Sequence, residues 1–285
     1  MKGIILAAGK GTRLYPTAQV VNKQLIPVYD KPLIYYPLTT LLSAGIREIL
    51  IISSQKDVAS FQALLGDGSA LGISISYEVQ HVQCGIADAF RIGESFIGDD
   101  PVCLILGDNI FWNKEIDSIL AQCAQMTQGA LVFGLHSEVP QQFGVIEFDK
   151  NGIAISIEEK PINPKSNFIV PGLYFFDAEV TDIAKHIKPS ARGEYEITSV
   201  IEAYLKQGTL KVLPLSKDTV WFDAGTPERI LEASIAVRAL QKEYGVSIGC
   251  VEEASCKKGY ITAHDAHLIA EQMKNSEYGK YLFSL

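Results

Sequence analysis

Along the first half of the chain, short apolar runs alternate with stretches whose apolar positions recur every three or four residues. The runs over 3–7, 48–54, 73–80, 102–108 and 130–136 are strand-like in length and in aliphatic and β-branched content. Between them, 32–45, 58–68, 85–98 and 115–126 carry helical periodicity, the first two closing on glycine. Strands with apolar residues at successive positions, alternating with helices, predict a Rossmann-like α/β fold: a mostly parallel mixed sheet flanked by helices. From residue 143 the rhythm changes to closely spaced strands at 143–149 and 152–160, joined through Asn151-Gly152, which predicts a β-hairpin inserted into the α/β scheme. A further strand is expected over 168–177, helices over 178–187 and 196–207, and late strands over 209–215 and 219–225. A helix then opens at Thr226-Pro227, with proline in the first turn, and the last forty or so residues read as helical.

Composition adds exclusions to that picture. At 285 residues and 47% hydrophobic, the chain is long enough for a sizeable core. Its net charge of −8 and the lack of any basic run argue against nucleic acid as a partner. No apolar stretch reaches the length of a membrane span, so no membrane partner is expected. The N-terminal apolar run is a handful of residues that lead into a Gly/Lys/Arg turn, which reads as a buried first strand and not as a leader. Five cysteines without CxxC spacing fit reduced thiols and a cytoplasmic protein.

The first strand ends in Leu6-Ala7-Ala8-Gly9-Lys10-Gly11-Thr12-Arg13-Leu14. This turn lacks the G-K-[ST] ending of a P-loop, and Leu14 stands where a dinucleotide fingerprint needs its third glycine. What remains is a glycine-rich loop at the carboxyl edge of a parallel sheet, where backbone N–H groups form an anion nest. Arg13 supplies a planar cation suited to phosphate oxygens, and Lys23 a second positive charge. Asp108 and Asp223 each end an apolar strand, a placement that suits a carboxylate ligand of Mg²⁺ as well as an ordinary cap or turn. There is no recognisable Ser/His/Asp or Cys/His set.

The loop, together with Asn22-Lys23-Gln24-Leu25-Ile26-Pro27, Ile105-Leu106-Gly107-Asp108-Asn109, Ile157-Glu158-Glu159-Lys160-Pro161, the segment 191–198 and Trp221-Phe222-Asp223-Ala224-Gly225, resembles the sugar-1-phosphate nucleotidyltransferases, in particular their thymidylyl-transferring branch. The similarity covers nearly the whole chain, including the helical C-terminus of the longer members. It implies a catalytic domain over 1–243, with a nucleotide-binding part over about 1–135 and a sugar-binding part over about 136–226, and a helical assembly or regulatory extension over 244–285. The implied reaction joins dTTP and glucose 1-phosphate into dTDP-glucose and pyrophosphate, with Mg²⁺ as cofactor, for deoxysugar and polysaccharide synthesis. UTP, CTP or another hexose 1-phosphate, or a non-catalytic sugar-nucleotide-binding role, stay open beside it.

Residue by residue, the resemblance implies catalytic roles for Arg13, Lys23, Lys160, Asp108 and Asp223, the two aspartates binding the metal. Leu6, Ala8, Gly9, Gly11, Thr12, Gln24, Gln80 and Gly85 join Arg13, Lys23 and Asp108 on the nucleotide, with Gln80 and Gly85 at the base. Asn109, Gly144, Glu159, Lys160, Val170 and Tyr174 match the sugar-phosphate pocket. A homotetramer is implied as well. The sequence departs from the branch's pattern at Ala8, Asn22, Cys84, Ile86, Asp88 and Pro171. The changes at Cys84, Asp88 and Pro171 fall where base and sugar are chosen.

Overall fold

The computed structural model describes residues 1–285. Its parallel half is built from β1 (Lys2–Ala7), β4 (Glu48–Ser53), β5 (Ser74–Val79) and β6 (Val102–Leu106), in the spatial order β6-β1-β4-β5. The short antiparallel pair β2 (Pro27–Val28) and β3 (Lys31–Pro32) precedes β4 in the chain. Beyond β6 the sheet continues through β12 (Leu173–Phe176), β8 (Ala130–His136), β11 (Phe168–Val170), β9 (Gly144–Phe148) and β10 (Ala154–Glu159), while β13 (Leu210–Pro214) runs parallel to β8. The expected hairpin is β9 and β10, antiparallel across the loop at Asn151-Gly152, where Asp149 Oδ1 accepts from the N–H groups of Asn151 and Ile153.

Successive strand residues alternate between two cores, which is why the runs are apolar throughout. Ile5, Ile51, Ile105 and Phe175 face a core under α2 (Tyr35–Ser43), α3 (Val58–Leu65) and α6 (Ile116–Cys123). Ile4, Leu50, Leu104 and Phe176 face a second core under α4 (Asp88–Ile92), α5 (Glu94–Ile97), α7 (Val180–His186) and α8 (Ile197–Gln207). A sheet sandwiched in this way presents its carboxyl edge as the open surface on which loops assemble a site. One short helix, α1 (Thr17–Val20), lies in the loop that follows β1.

Two expectations are corrected and one strand is added. The run 168–177 is two strands: Pro171 has no N–H to give to a ladder, so the chain breaks at Pro171-Gly172 into β11 and β12. The helix expected over 85–98 is two short helices that meet at Gly93. A short strand absent from the sequence reading, β7 (Asn109–Trp112), follows Asp108 and pairs antiparallel with β14 (Val220–Asp223) as a separate two-stranded sheet. The long helix α9 (Pro227–Tyr244) starts where expected, with the Thr226 hydroxyl accepting from Arg229 N–H and Pro227 in the first turn. The C-terminal residues form α10 (Val251–Lys257), α11 (Ala263–Glu271) and α12 (Glu277–Leu282), and Val251 and Ala254 complete the core under α2.

Candidate active site

After β1 the chain turns through Ala8, Gly9 and Lys10 to Gly11, whose left-handed backbone (φ 60°) opens a 3₁₀ turn over Thr12–Leu14. Buried Leu14 anchors the turn, leaving Arg13 at the surface of the loop. A Cβ added to Gly225 would stand 2.6 Å from Arg13 Nη2 and 2.9 Å from Asp223 Oδ1, so the guanidinium lies against the end of β14. A second 3₁₀ turn holds Lys23, buried to 6% exposure. Asn22 braces it: its side chain accepts from Gln24 N–H at 2.8 Å and donates to Asp57 Oδ2 at 2.9 Å. Asparagine can both accept and donate, so it fits this double role. Gln24 is buried beside Gly107, and its Oε1 has no partner.

The β7–β14 ladder sets Asn109 opposite Asp223 and so brings Asp223 next to Asp108. Lys23 Nζ donates to Asp108 Oδ2, and Asn109 Nδ2 to Asp108 Oδ1 at 2.9 Å. Burial works to raise the Asp108 pKa, but the Lys23 ammonium and these hydrogen bonds hold it below the usual carboxylate range. Asp223 goes the other way: burial and then repulsion from Asp108 raise it, against Lys23, Arg229 and Arg13. Arg229 Nη1 donates to Asp223 Oδ2 at 2.8 Å. Two adjacent, partly buried carboxylates, each with a single cation paired to it, offer the oxygen donors that a hard divalent cation takes. With no third carboxylate, histidine or cysteine grouped with them, phosphate oxygens and water would complete its shell, as is usual for Mg²⁺.

Across the cleft, Glu159 ends β10 and Lys160 follows in a left-handed backbone (φ 45°) that is rare for a side-chain-bearing residue. The Lys160 N–H donates to Phe143 O at 2.9 Å, which holds that turn. Burial raises the Glu159 carboxyl above its ordinary pKa, against the pull of Lys160. Asn109, besides holding Asp108, accepts at Oδ1 from Trp221 Nε1 (2.7 Å) and Gly172 N–H (3.1 Å). Arg13, Asp108, Asp223, Asn109, Gly144, Glu159, Lys160, Val170 and Tyr174 thus line one cavity of ≈ 590 Å³.

Gln80 and Gly85 lie off that cavity, beyond the carboxyl end of β5, two strands from the glycine loop. Gly85 (φ 109°) packs so closely that a Cβ would meet Tyr195 O at 2.4 Å. Tyr195 N–H donates to Cys84 O, and Ala87 N–H to Tyr195 O, so the loop rests on segment 191–198. Gln83 Nε2 donates to Ala8 O, linking this loop to the one after β1. Ala8 is buried, and Leu6 on β1 packs against the second core. Gly9 and Thr12 are at the surface of their loop.

The sequence reading missed three residues. Arg192 donates to Glu196 at 2.9 Å and pairs with Glu159 and Glu194 at 3.4 Å. An arginine among three glutamates (Glu194, Glu196 and, far back in the chain, Glu159) was its only signal. Arg229 and Trp221 hold the two key side chains Asp223 and Asn109. Both lie within a few residues of Asp223, yet only the fold shows what they touch.

A nucleotidyl transferase family profile matches residues 2–239. A glucose-1-phosphate thymidylyltransferase of Neisseria meningitidis is 50% identical over 285 residues, covering 100% of this chain and 99% of that protein. A Bacillus anthracis structure described as a glucose-1-phosphate thymidylyltransferase, solved with sucrose, superposes with a TM-score of 0.76 at 40% identity, over 84% of this chain and 95% of that one. A UDP-glucose pyrophosphorylase solved with UDP-glucose gives 0.73 at 25% identity, over 84% and 98%.

Proposed function

The chain belongs to the nucleotidyl transferase family, and from that membership we propose that it transfers a thymidylyl group from dTTP to glucose 1-phosphate, giving dTDP-glucose and pyrophosphate. The geometric observation that carries this reading is the β7–β14 pairing, which sets two carboxylates beside Lys23 and Arg13 and across one cleft from Lys160.

Joining the substrates requires an oxygen of the sugar phosphate to attack the α-phosphorus of dTTP while the bond to the β-phosphate breaks. Both partners are anions, so the protein's task is to hold them in line and offset their charge. Arg13 and the N–H groups of Gly9 to Thr12 hold the β- and γ-phosphates that leave as pyrophosphate. Lys160 holds the sugar phosphate, and Arg192 positions Glu159 through their ion pair. Glu159 takes sugar hydroxyls, with Gly144, Asn109, Val170 and Tyr174 shaping the pocket. Lys23, held against Asp108 by its ion pair, supplies positive charge where the two phosphates would meet. Asp108 and Asp223 would hold Mg²⁺, which supplies charge neutralisation at the α-phosphate when bound. No protein nucleophile is needed.

Side-by-side turnover of dTTP, UTP and CTP with a panel of hexose 1-phosphates tests the substrate pair. Turnover confined to a pair other than dTTP and glucose 1-phosphate would overturn it. The 25% identity to a UDP-glucose pyrophosphorylase makes UTP the rival to measure first. Replacing Asp108 or Asp223 by alanine is expected to cut turnover more than a hundredfold, roughly 3–4 kcal/mol of lost transition-state charge stabilisation.

No helix is long and apolar enough to cross a membrane; the five free thiols support action in the reducing cytoplasm. The outer face of α9 carries Leu231 and Ile235 one turn apart, 55% and 59% exposed. This apolar pair supports assembly into a homotetramer, with the segment 244–285 contributing to contacts and regulation. Light scattering should return four times the 31.2 kDa chain mass.

A further inference from the structure

Gln80 is almost fully buried at the end of β5, and its amide is held from one side only. Its Nε2 donates to Asp88 Oδ2 at 3.0 Å and is 3.5 Å from Gly85 O. A carboxylate and a backbone carbonyl are both acceptors only, so an amide turned the other way would set oxygen against two oxygens. The orientation therefore follows from the neighbours' chemistry. Gln80 Oε1 accepts no hydrogen bond from the protein, nor is it among the enclosed orphan atoms. Close by, the Gly85 N–H donates to no backbone carbonyl. An acceptor and a donor thus stand together at the edge of the loop that Gln83 links to the glycine turn.

From this arrangement we infer that Asp88 is a positioning residue for base selection: it commits Gln80 to offering its carbonyl oxygen, so that the site takes a pyrimidine bearing an imide N–H and rejects cytosine. The inference rests on the thymidylyl-transfer reading of the same site. Thymine and uracil present a ring N–H beside a carbonyl, which matches an acceptor beside a donor. Cytosine presents a bare ring nitrogen beside an amino group, which opposes both. A site built to hydrogen-bond one pattern discriminates strongly, because the wrong pattern leaves buried groups unpaired. Asp88 touches neither phosphate nor sugar positions. It occupies the first turn of α4, behind Gln80.

The test is kcat/KM for dTTP and dCTP, each with glucose 1-phosphate and magnesium, in wild type and three variants. Asp88→Asn puts a donor where only an acceptor stood, so the Gln80 amide can turn. Asp88→Ala removes the anchor and suits a helix. Asp88→Glu keeps acceptor-only chemistry. The dTTP:dCTP ratio is expected to fall about tenfold or more in D88N and D88A, chiefly through KM, and to hold in D88E. Either D88N or D88A leaving the ratio as in wild type overturns the inference, as does wild-type turnover of dCTP equal to that of dTTP. Wild-type protein that transfers no pyrimidine nucleotide to any sugar 1-phosphate fails the transferase reading instead. Melting temperatures of the variants separate a folding defect from a change of base preference.

Discussion

At the scale of single residues, the site's electrostatics rest on unequal treatment of two aspartates. Lys23 holds Asp108 below its ordinary pKa, whereas burial and Asp108 raise Asp223. An acid whose pKa is raised loses its charge as pH falls through that value, and an uncharged Asp223 is a poor metal ligand. Activity should therefore decline on the acid side, and Arg229→Met, which removes a cation that favours the charged form, should move that decline to higher pH. The pH profile of kcat/KM reads this directly. Lys160 poses a different question, because its left-handed backbone costs a non-glycine residue roughly 1–2 kcal/mol. Lys160→Gly should be up to about 1 kcal/mol more stable than Lys160→Ala, the relief being offset in part by glycine's greater chain entropy. Both should raise KM for the sugar phosphate. Denaturant melts and steady-state kinetics on the same two variants separate backbone strain from charge.

Among the elements, the ladder between β7 and β14 decides the chemistry, since it sets Asp223 opposite Asn109 and next to Asp108. Neither strand belongs to the main sheet. The loop over 84–87, which the proposed reading gives to the base, is the other element to test, and its weak point is Gly85. Gly85→Ala would drive a Cβ into Tyr195 O at 2.4 Å, from a backbone conformation alanine resists. KM for dTTP should rise about tenfold or more while KM for glucose 1-phosphate changes little, because the strain stays within 84–87 and its support. Most elements were legible in the sequence. Buried strands show as apolar runs, and α9 announces itself by Thr226, Pro227 and a closing Gly245. β7 was hidden because its apolar run is only the three residues Ile110–Trp112, directly after the Gly107-Asp108 turn that closes β6. The split at Pro171 was hidden because the residues on either side are equally apolar.

For the molecule as a whole, the C-terminal helices are joined to the body through a buried polar cluster. Lys31 Nζ donates to Asp30, Gln241 Oε1 and Ile248 O, and lies over the rings of Tyr36 and Tyr278. Glu252 on α10 accepts from the hydroxyl of Tyr278 on α12. Burial is the largest influence on Glu252 and raises its pKa above 4.5, so the folded state holds the proton more tightly than the unfolded chain. That contribution to stability is complete below the unfolded value and is lost as pH rises through the folded one. Glu252→Gln should therefore lose less melting temperature than wild type as pH is raised from the ordinary carboxylate range, as measured by calorimetry across a pH series.

The sequence by itself determined most of the segments that form strands and helices, and which chemical groups stand at strand ends: a glycine loop with Arg13, and the carboxylates Asp108 and Asp223. These follow from local periodicity and turn chemistry, which act over a few residues. The tertiary structure alone decided which of these groups meet. It placed Asp223 next to Asp108 across more than a hundred residues of chain, laid Arg13 against Gly225, gathered Arg192 onto Glu159, and turned the Gln80 amide toward Asp88. The physical reason is that strand register and side-chain hydrogen bonding between distant segments depend on how the two cores close around the sheet. A local pattern records that a position is buried or polar, but not which partner the closed fold will bring to it.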